Sequence, residues 1–346
     1  MMITTVRGCE ECSKRHEANP LCWCKSSMSL FHYGTDIMTS LLTNASAITA
    51  LQNLSATNRA MQTTQDRIST GMRVANASDN AAYWSIATTM RSDNNALSTV
   101  KDALGMGSAT VDVASAALKT TADLVTQIKS KLVAALQPGI DRTKVQGEIK
   151  QLQDQIKSVA ESSTFSGQNW LSVDSGATDY NATKSIVASF TRSGTDVSTG
   201  TIDVDTSTVS LFDEDATGEG IIDKARDSGG TTGVAVSDMD ISTLTDSSAD
   251  QTTLKEYISI TDAALTDVTT AASDLGAVKT RIGMQSDFVG NLMDAVTKGI
   301  GQLVDADMNQ ESTRLQALQV QQQLGVQSLS IANQSSQQIL SLFRGG

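Results

Sequence analysis

Two long segments near opposite ends of the chain share one spacing of apolar positions. From Leu51 to Met72, and again from Val304 to Phe343, these positions recur at alternating intervals of three and four residues. Residues three and four apart lie on one face of a helix, so each segment is predicted to be a helix with an apolar seam. A seam at each chain end, with no compact core beside it, predicts a subunit that polymerises.

We predict that ten positions on the two terminal helices form this assembly seam. They are Leu51, Leu54, Met61, Ile68, Leu315, Leu318, Gln322, Leu329, Ile339 and Phe343. Polar residues share the same spacing at Asn58, Gln65 and Ser336, and Gly325 would let a neighbouring backbone approach closely. Buried amides in such a seam lower stability but define the register of the helices. The alternative is that these amides face water at the margin of the seam.

The segment after the first helix predicts two further helices and a sharp turn between them. Ser78 or Asn80 can cap the first of these, whose later part carries the same three-and-four spacing up to Leu132. Pro138-Gly139 is the clearest break, because proline interrupts the helical hydrogen bonds and glycine turns freely. A short antiparallel helix follows over 145–159. The run 164–171 then predicts a turn with two large anchors, Phe165 and Trp170.

Residues 174–250 have a different character. Short runs such as 185–190 and 200–205 alternate apolar and polar residues, with Gly and Asp between them, which is typical of strands. We therefore expect a small β-containing domain inserted into a helical one. A disordered acidic linker is the alternative. Helical spacing returns from Gln251, and this later helix is expected to pack against the helices before the insertion.

These patterns predict a mainly α fold. Long antiparallel helices and coiled-coil arms come from both chain ends, with the small β-containing domain on the outside. The expected divisions of the chain are a non-native N-terminal extension (1–37), an N-terminal helical arm (38–79), the first part of a helical rod domain (80–173), a variable outer domain (174–250), the second part of the rod (251–303) and a C-terminal helical arm (304–346).

Composition narrows the class of protein. Aromatic residues make up only 4% of the chain, which fits rod-like helical layers better than a globule. The net charge of −12 argues against a nucleic-acid partner, which would need a basic face. Residues 174–250 hold fifteen acidic and four basic residues, a net charge of −11, so this segment is expected to face solvent. There is no run of eighteen apolar residues, so no membrane span is predicted.

The first 37 residues do not match the rest. All four cysteines and both histidines fall there, and the segment has no apolar run of the kind found in a cleavable secretory signal. Cys9 and Cys12, followed by Cys22 and Cys24, could form a zinc site, although the second pair is spaced more tightly than usual. The compositional break favours Met38 as the native start, with upstream translated sequence before it. Export is expected to use a route that reads no such signal.

The sequence predicts no cofactor, no metal and no enzyme. After Met38 there is neither histidine nor cysteine, and no glycine-rich phosphate-binding loop. The acidic run 213–215 lacks the spacing of a calcium loop and is interpreted as a solvated loop. Asp305 and Asp307 are two apart on a predicted helix and so point in different directions. We interpret them as surface carboxylates or contacts between subunits.

Several motifs together resemble bacterial flagellin, the subunit of the flagellar filament. At the front they lie in 42–44, 52–54, 66–74, 77–82 and 164–167, and at the rear in 275–277, 305–312, 332–334 and 338–343. Two sets of motifs in the correct order at both ends make the resemblance specific. The run Tyr83-Trp84-Ser85-Ile86-Ala87 resembles the flagellins of rhizobia and their relatives.

The resemblance implies a structural subunit that is exported and polymerises into the extracellular filament for swimming. It implies terminal arms that line a central channel as a coiled coil, a helical rod domain around them and a variable middle outside. It also implies partners: other copies or sister flagellins, an export chaperone, and filament cap and hook-junction proteins. The alternatives are a hook–filament junction or other flagellar axial protein and, from a different class, a metal-binding or enzymatic module.

Overall fold

The computed structural model describes residues 43–178, 180–194, 196–215, 219–228 and 231–344. The described chain forms two compact units. The terminal unit contains residues 43–58 and 320–344, and the main unit contains residues 59–319. The extension predicted over 1–37, with its cysteine and histidine cluster, lies outside the described residues.

Five α-helices account for most of the residues that the structure describes. They are α1 (Ala45–Thr70), α2 (Ala81–Ala135), α3 (Arg142–Ser162), α4 (Ser248–Val304) and α5 (Met308–Arg344). The prediction of one helix from Val304 through Asp305 and Asp307 is wrong at its start, because α4 ends at Val304 and α5 begins only at Met308. The prediction of a mainly α fold with a small strand-containing insertion is confirmed.

Short polar side chains define where the helices begin. Asn80 caps α2, because its side-chain oxygen accepts a hydrogen bond from the backbone N–H of Tyr83 at 3.1 Å. Asp141 caps α3 and Ser247 caps α4 in the same way. Such caps satisfy N–H groups that have no partner inside the helix. The choice left open between Ser78 and Asn80 is thereby decided for Asn80.

The helical hairpin of α2 and α3 turns where the sequence predicted it. α2 ends three residues before Pro138, and Gly139 has a φ of +81°, a conformation that glycine adopts readily. Arg142 closes the turn from inside. Its Nε donates to the carbonyl of Ala135 at 3.2 Å, and its terminal nitrogen lies 2.7 Å from a carboxylate oxygen of Asp246.

The main unit contains short strands in four two-stranded pairs, among the residues that the structure describes. The strands are β1 (Thr164–Phe165), β2 (Gln168–Asn169), β3 (Ser172–Val173), β4 (Thr183–Ser193), β5 (Asp196–Asp205), β6 (Phe212–Asp213), β7 (Arg226–Ser228) and β8 (Thr231–Val234). β3 pairs with β6 in parallel and the other pairs are antiparallel. Between β1 and β2, Ser166 and Gly167 both have positive φ, as a tight two-residue hairpin turn requires.

The inserted strands share one hydrophobic core with the helices. α2 and α4 run antiparallel along each other, and β4 packs against both. Ile186 and Ile202 of the β4–β5 hairpin belong to the same buried cluster as Leu104, Leu118 and Leu275 of those helices. The described insertion is therefore folded rather than a disordered linker, and its apolar residues complete the core of the main unit.

Two glutamines on one face of α3 hold the chain that leads into α4. The side-chain N–H₂ of Gln153, which is buried, donates to the carbonyls of Val236 and Met239 at 2.7 and 3.1 Å. Gln146, two turns earlier, donates to Met239 and accepts from the backbone N–H of Ile241. These bonds satisfy backbone groups that burial would otherwise leave without partners.

Candidate assembly surface

The less exposed positions of α5 follow the spacing that the sequence predicted. Along its described length the positions spaced by three and four are the less exposed ones. They are Glu311, Leu315, Leu318, Gln322, Gly325, Leu329 and Ala332. Leu318 is buried at 9% exposure, while its neighbour Val320 is 55% exposed. α5 continues through positions 339 and 343, but the side chains of Ile339 and Phe343 lie outside what the structure describes.

On α1 the less exposed face includes some of the predicted seam residues and leaves out others. It includes Leu54, Met61 and Ile68 as predicted, but it also runs through smaller residues such as Ala50, Thr57 and Thr64. Leu51 lies off this face and is 57% exposed, whereas Thr64 is only 1% exposed. Ala50, Thr57 and Thr64 are seven apart, so they lie on one face of the helix.

Within the terminal unit, α1 and α5 contact each other through polar and apolar groups. The side-chain N–H₂ of Gln322 donates to the side-chain oxygen of Asn58 at 2.9 Å, and that of Asn44 donates to the carbonyl of Ala332 at 2.9 Å. Leu54 covers Gly325, where an added Cβ would lie 3.3 Å from its Cδ1. The glycine thus leaves room for a leucine side chain from the facing helix.

Within the main unit, one ion pair links the same two helices. Arg67 lies 3.1 Å from Oε1 of Glu311, which is 6% exposed. The other carboxylate oxygen, Oε2, is buried and has no hydrogen-bond partner among the described residues. A buried ion pair contributes little net stability, but a buried charge without its partner is costly. The pair therefore favours one alignment of α1 and α5.

The segments that connect α1 to α2 and α4 to α5 are hydrogen-bonded to each other. Met72 and Asp305 form an antiparallel β-bridge. The backbone N–H groups of Arg73 and Val74 both donate to the carbonyl of Val304, at 2.6 and 3.2 Å. Two chain segments more than 200 residues apart in sequence are tied at this point, which we call the joint (71–74 with 303–306). The sequence pattern gave no signal for this bridge.

The terminal helices keep many apolar side chains exposed after these contacts are made. Six of these residues have between 50% and 66% of their surface exposed. They are Ile48, Leu51, Val320, Leu324, Val326 and Ile331. These side chains remain available for contact with another molecule.

Carboxylates in the main unit serve the fold. Asp307 caps α5, since its side-chain oxygen accepts from the backbone N–H groups of Asn309 and Gln310. Burial would raise the pKa of Asp213, but hydrogen bonds from Ser175 and from the backbone N–H of Asp215 outweigh it and hold that pKa below its usual value.

No group of side chains in the described part of the chain is arranged to hold a metal ion. Among the same residues, no helix is long and apolar enough to cross a membrane.

Comparison with known proteins gives a consistent result for both chain ends. The family model described as the bacterial flagellin N-terminal helical region matches residues 41–175, and that of the bacterial flagellin C-terminal helical region matches residues 258–343. Flagellin C of Rhizobium meliloti (strain 1021) is 49% identical over 326 residues, and Flagellin A of the same strain is 40% identical over 397. A flagellin of Brucella melitensis biotype 1 is 46% identical over 309 residues. Each alignment covers 89% of this chain and all of the relative.

Proposed function

The chain belongs to the bacterial flagellin family, and from this premise we propose how its two ends build the filament. As a family member it is a structural subunit of the extracellular flagellar filament, exported and polymerised for swimming. The predicted resemblance to flagellins of rhizobia and their relatives is confirmed.

The proposal is that α1 and α5 act together as one assembly element. In the terminal unit Gln322 bonds to Asn58, and in the main unit Arg67 pairs with Glu311. Both pairs fall on or beside the less exposed faces of the two helices. Their polar groups define which residues of α1 face which residues of α5. This alignment is the observation that carries the proposal, because neighbouring copies can bind only a surface with a constant arrangement.

Exposed apolar residues on the two helices would then contact other subunits. Side chains such as Leu51, Leu324 and Ile331 lie off the face that pairs within the chain. Burial of each side chain of this size contributes roughly 1.5–3 kcal/mol. The same helices thus use one face within the subunit and another between subunits. We place the arms (38–79 and 304–346) around the filament channel, the rod (80–173 and 251–303) around the arms, and residues 174–250 on the outside.

The partners follow from this assignment. The subunit polymerises with copies of itself, and we infer that sister flagellins can enter the same filament, since their terminal helices would present similar faces. We also infer an export chaperone that covers the exposed apolar residues before assembly, and cap and hook-junction proteins that bind them at the filament ends. The part played by the chain is structural, and we infer that it catalyses no reaction.

Seeded polymerisation tests the pairing of α1 and α5. Leu318→Lys places a charge on the buried face of α5, whereas Gln316→Lys places one at an exposed position two residues away. The first variant should fail to extend filament seeds and the second should extend them at the wild-type rate. Both should show the wild-type thermal transition of the α2–α4 core by circular dichroism. Normal elongation of Leu318→Lys subunits would overturn the proposal.

A further inference from the structure

The joint rests on a small hydrophobic cluster that is separate from the main core. The buried members of this cluster are Ala87, Ile300 and Val304. Met72 and Met90 are partly buried and pack against them. Two thioether side chains therefore supply part of this packing, together with the partly buried Val296 and Leu303.

Each methionine makes a specific contact through its side chain. Met72 forms the β-bridge with Asp305 through its backbone, while its sulfur accepts a hydrogen bond from the guanidinium of Arg91 at 3.5 Å. The terminal methyl of Met90 lies against Gly299, where an added Cβ would be only 3.2 Å away. Both residues keep part of their surface exposed, so neither is fully buried.

We propose that Met72 and Met90 form an oxidation-sensitive lock on the joint, with hydrogen peroxide as the oxidant. The thioether sulfur attacks one peroxide oxygen, so that an S–O bond forms and the O–O bond breaks. The proton of the transferred hydroxyl passes to the departing hydroxide, which leaves as water. The sulfur loses two electrons and the peroxide gains them, and the product is methionine sulfoxide.

Oxidation would remove these side chains from the cluster. A sulfoxide oxygen is strongly polar and needs a hydrogen-bond donor, which the side chains of Ala87, Ile300 and Val304 do not offer. The exposed guanidinium of Arg91 can donate to the new oxygen on Met72, which draws that side chain towards solvent. Val304, whose carbonyl accepts hydrogen bonds from the backbone N–H groups of Arg73 and Val74, then loses its packing. The joint opens as a result.

Other methionines provide internal controls. Met106, Met284 and Met308 are 56%, 63% and 43% exposed and are not part of the cluster. Peroxide reaches them at least as readily, but their oxidation leaves the packing beneath the joint intact. The lock therefore depends on which methionines are oxidised and not on how many.

The test treats the full chain with graded amounts of hydrogen peroxide. Peptide mass spectrometry measures the sulfoxide at each methionine, and hydrogen exchange measures protection of the amides of Arg73 and Val74. In the wild type these amides should exchange at least tenfold faster once Met72 and Met90 are oxidised. The variant Met72→Leu/Met90→Leu should keep its protection at the same dose, while Met106→Leu/Met284→Leu should lose it like the wild type. All three chains carry the same cysteines in 1–37, so cysteine oxidation cannot separate them.

Two results would overturn the lock. One is equal loss of protection in Met72→Leu/Met90→Leu, and the other is full protection in wild-type chains that carry both sulfoxides. Any effect of the lock on filament growth rests on the proposed function, but hydrogen exchange needs no filament. Failure of the untreated wild type to extend seeds would therefore count against the proposed function and leave the lock standing.

Discussion

The side-chain amide of Gln322 on α5 donates a hydrogen bond to the side-chain oxygen of Asn58 on α1, at 2.9 Å. Both side chains are amides, so each can donate and accept, and their pairing requires that the two helices stay in one alignment. Asn58 is exposed and Gln322 is partly buried, so the pair lies at the margin of the less exposed face. This amide pair combines the two alternatives: the side chains bond to each other across the helices, and they also lie at the solvent-exposed margin of the seam.

Replacement of Gln322 by leucine should change filament shape more than subunit stability. The loss of one exposed hydrogen bond costs roughly 0.5–1.5 kcal/mol, but the alignment of α1 and α5 loses its polar determinant. Electron microscopy of seeded filaments should show an altered or mixed helical form. Gln323→Leu, at the exposed neighbouring position, is the matched control. Identical filaments from all three proteins would show that the amide pair has no part in alignment.

Loss of the Arg67 guanidinium should lower the stability of the protein more than loss of the negative charge on Glu311. Arg67→Met leaves a carboxylate that is 6% exposed without its cation, which costs about 3–5 kcal/mol when the charge stays fully buried. Glu311→Gln removes that charge and leaves Arg67, which is partly exposed, to be solvated. Denaturant titration of both variants should therefore rank Arg67→Met as the less stable. The opposite order would show that the buried carboxylate of Glu311 contributes through contacts other than its pair with Arg67.

A methyl group added at Gly107 of α2 should disturb the β4–β5 hairpin. An added Cβ would lie 2.7 Å from Cγ2 of Ile186, so one of the two elements must move. We expect Gly107→Ala to cost about 1–3 kcal/mol in urea unfolding. Gly105→Ala on the same helix has nothing within 4 Å of its added Cβ and should stabilise by about 0.5–1 kcal/mol. Equal effects at the two glycines would contradict this close contact.

The ionised carboxylate of Asp223 should contribute unfavourably to the stability of the main unit at neutral pH. Burial raises the pKa of Asp223 above its usual value, although the backbone N–H of Asp213 donates to it and lowers the pKa in part. A carboxyl with a raised folded-state pKa destabilises the fold when charged, and the penalty disappears as the pH falls through that pKa. Asp223→Asn should thus raise the free energy of unfolding at pH 7 and leave it almost unchanged at low pH. A variant that is less stable than the wild type at pH 7 would show that the carboxylate is needed there.

Local features of the sequence were enough to place the helices. Asn80 and Pro138 mark helix ends that the structure reproduces, because caps and breaks depend on a few neighbouring residues. The spacing on α5 likewise predicted its less exposed face, and the terminal motifs indicated the family. Each of these depends on interactions within one helical turn or on a motif that is contiguous in sequence.

Only the tertiary structure shows which residues of two distant segments contact each other. The face of α1 runs through Ala50 and not Leu51, since apolar residues on that helix allow either choice and only the facing side chains select one. The bridge between Met72 and Asp305 is a backbone contact, so the pattern of side chains does not predict it. The contact of Gly107 with Ile186 belongs to the same kind. Periodicity defines a helix and its possible faces, but the choice among nearly equal faces is made by the partner that covers them.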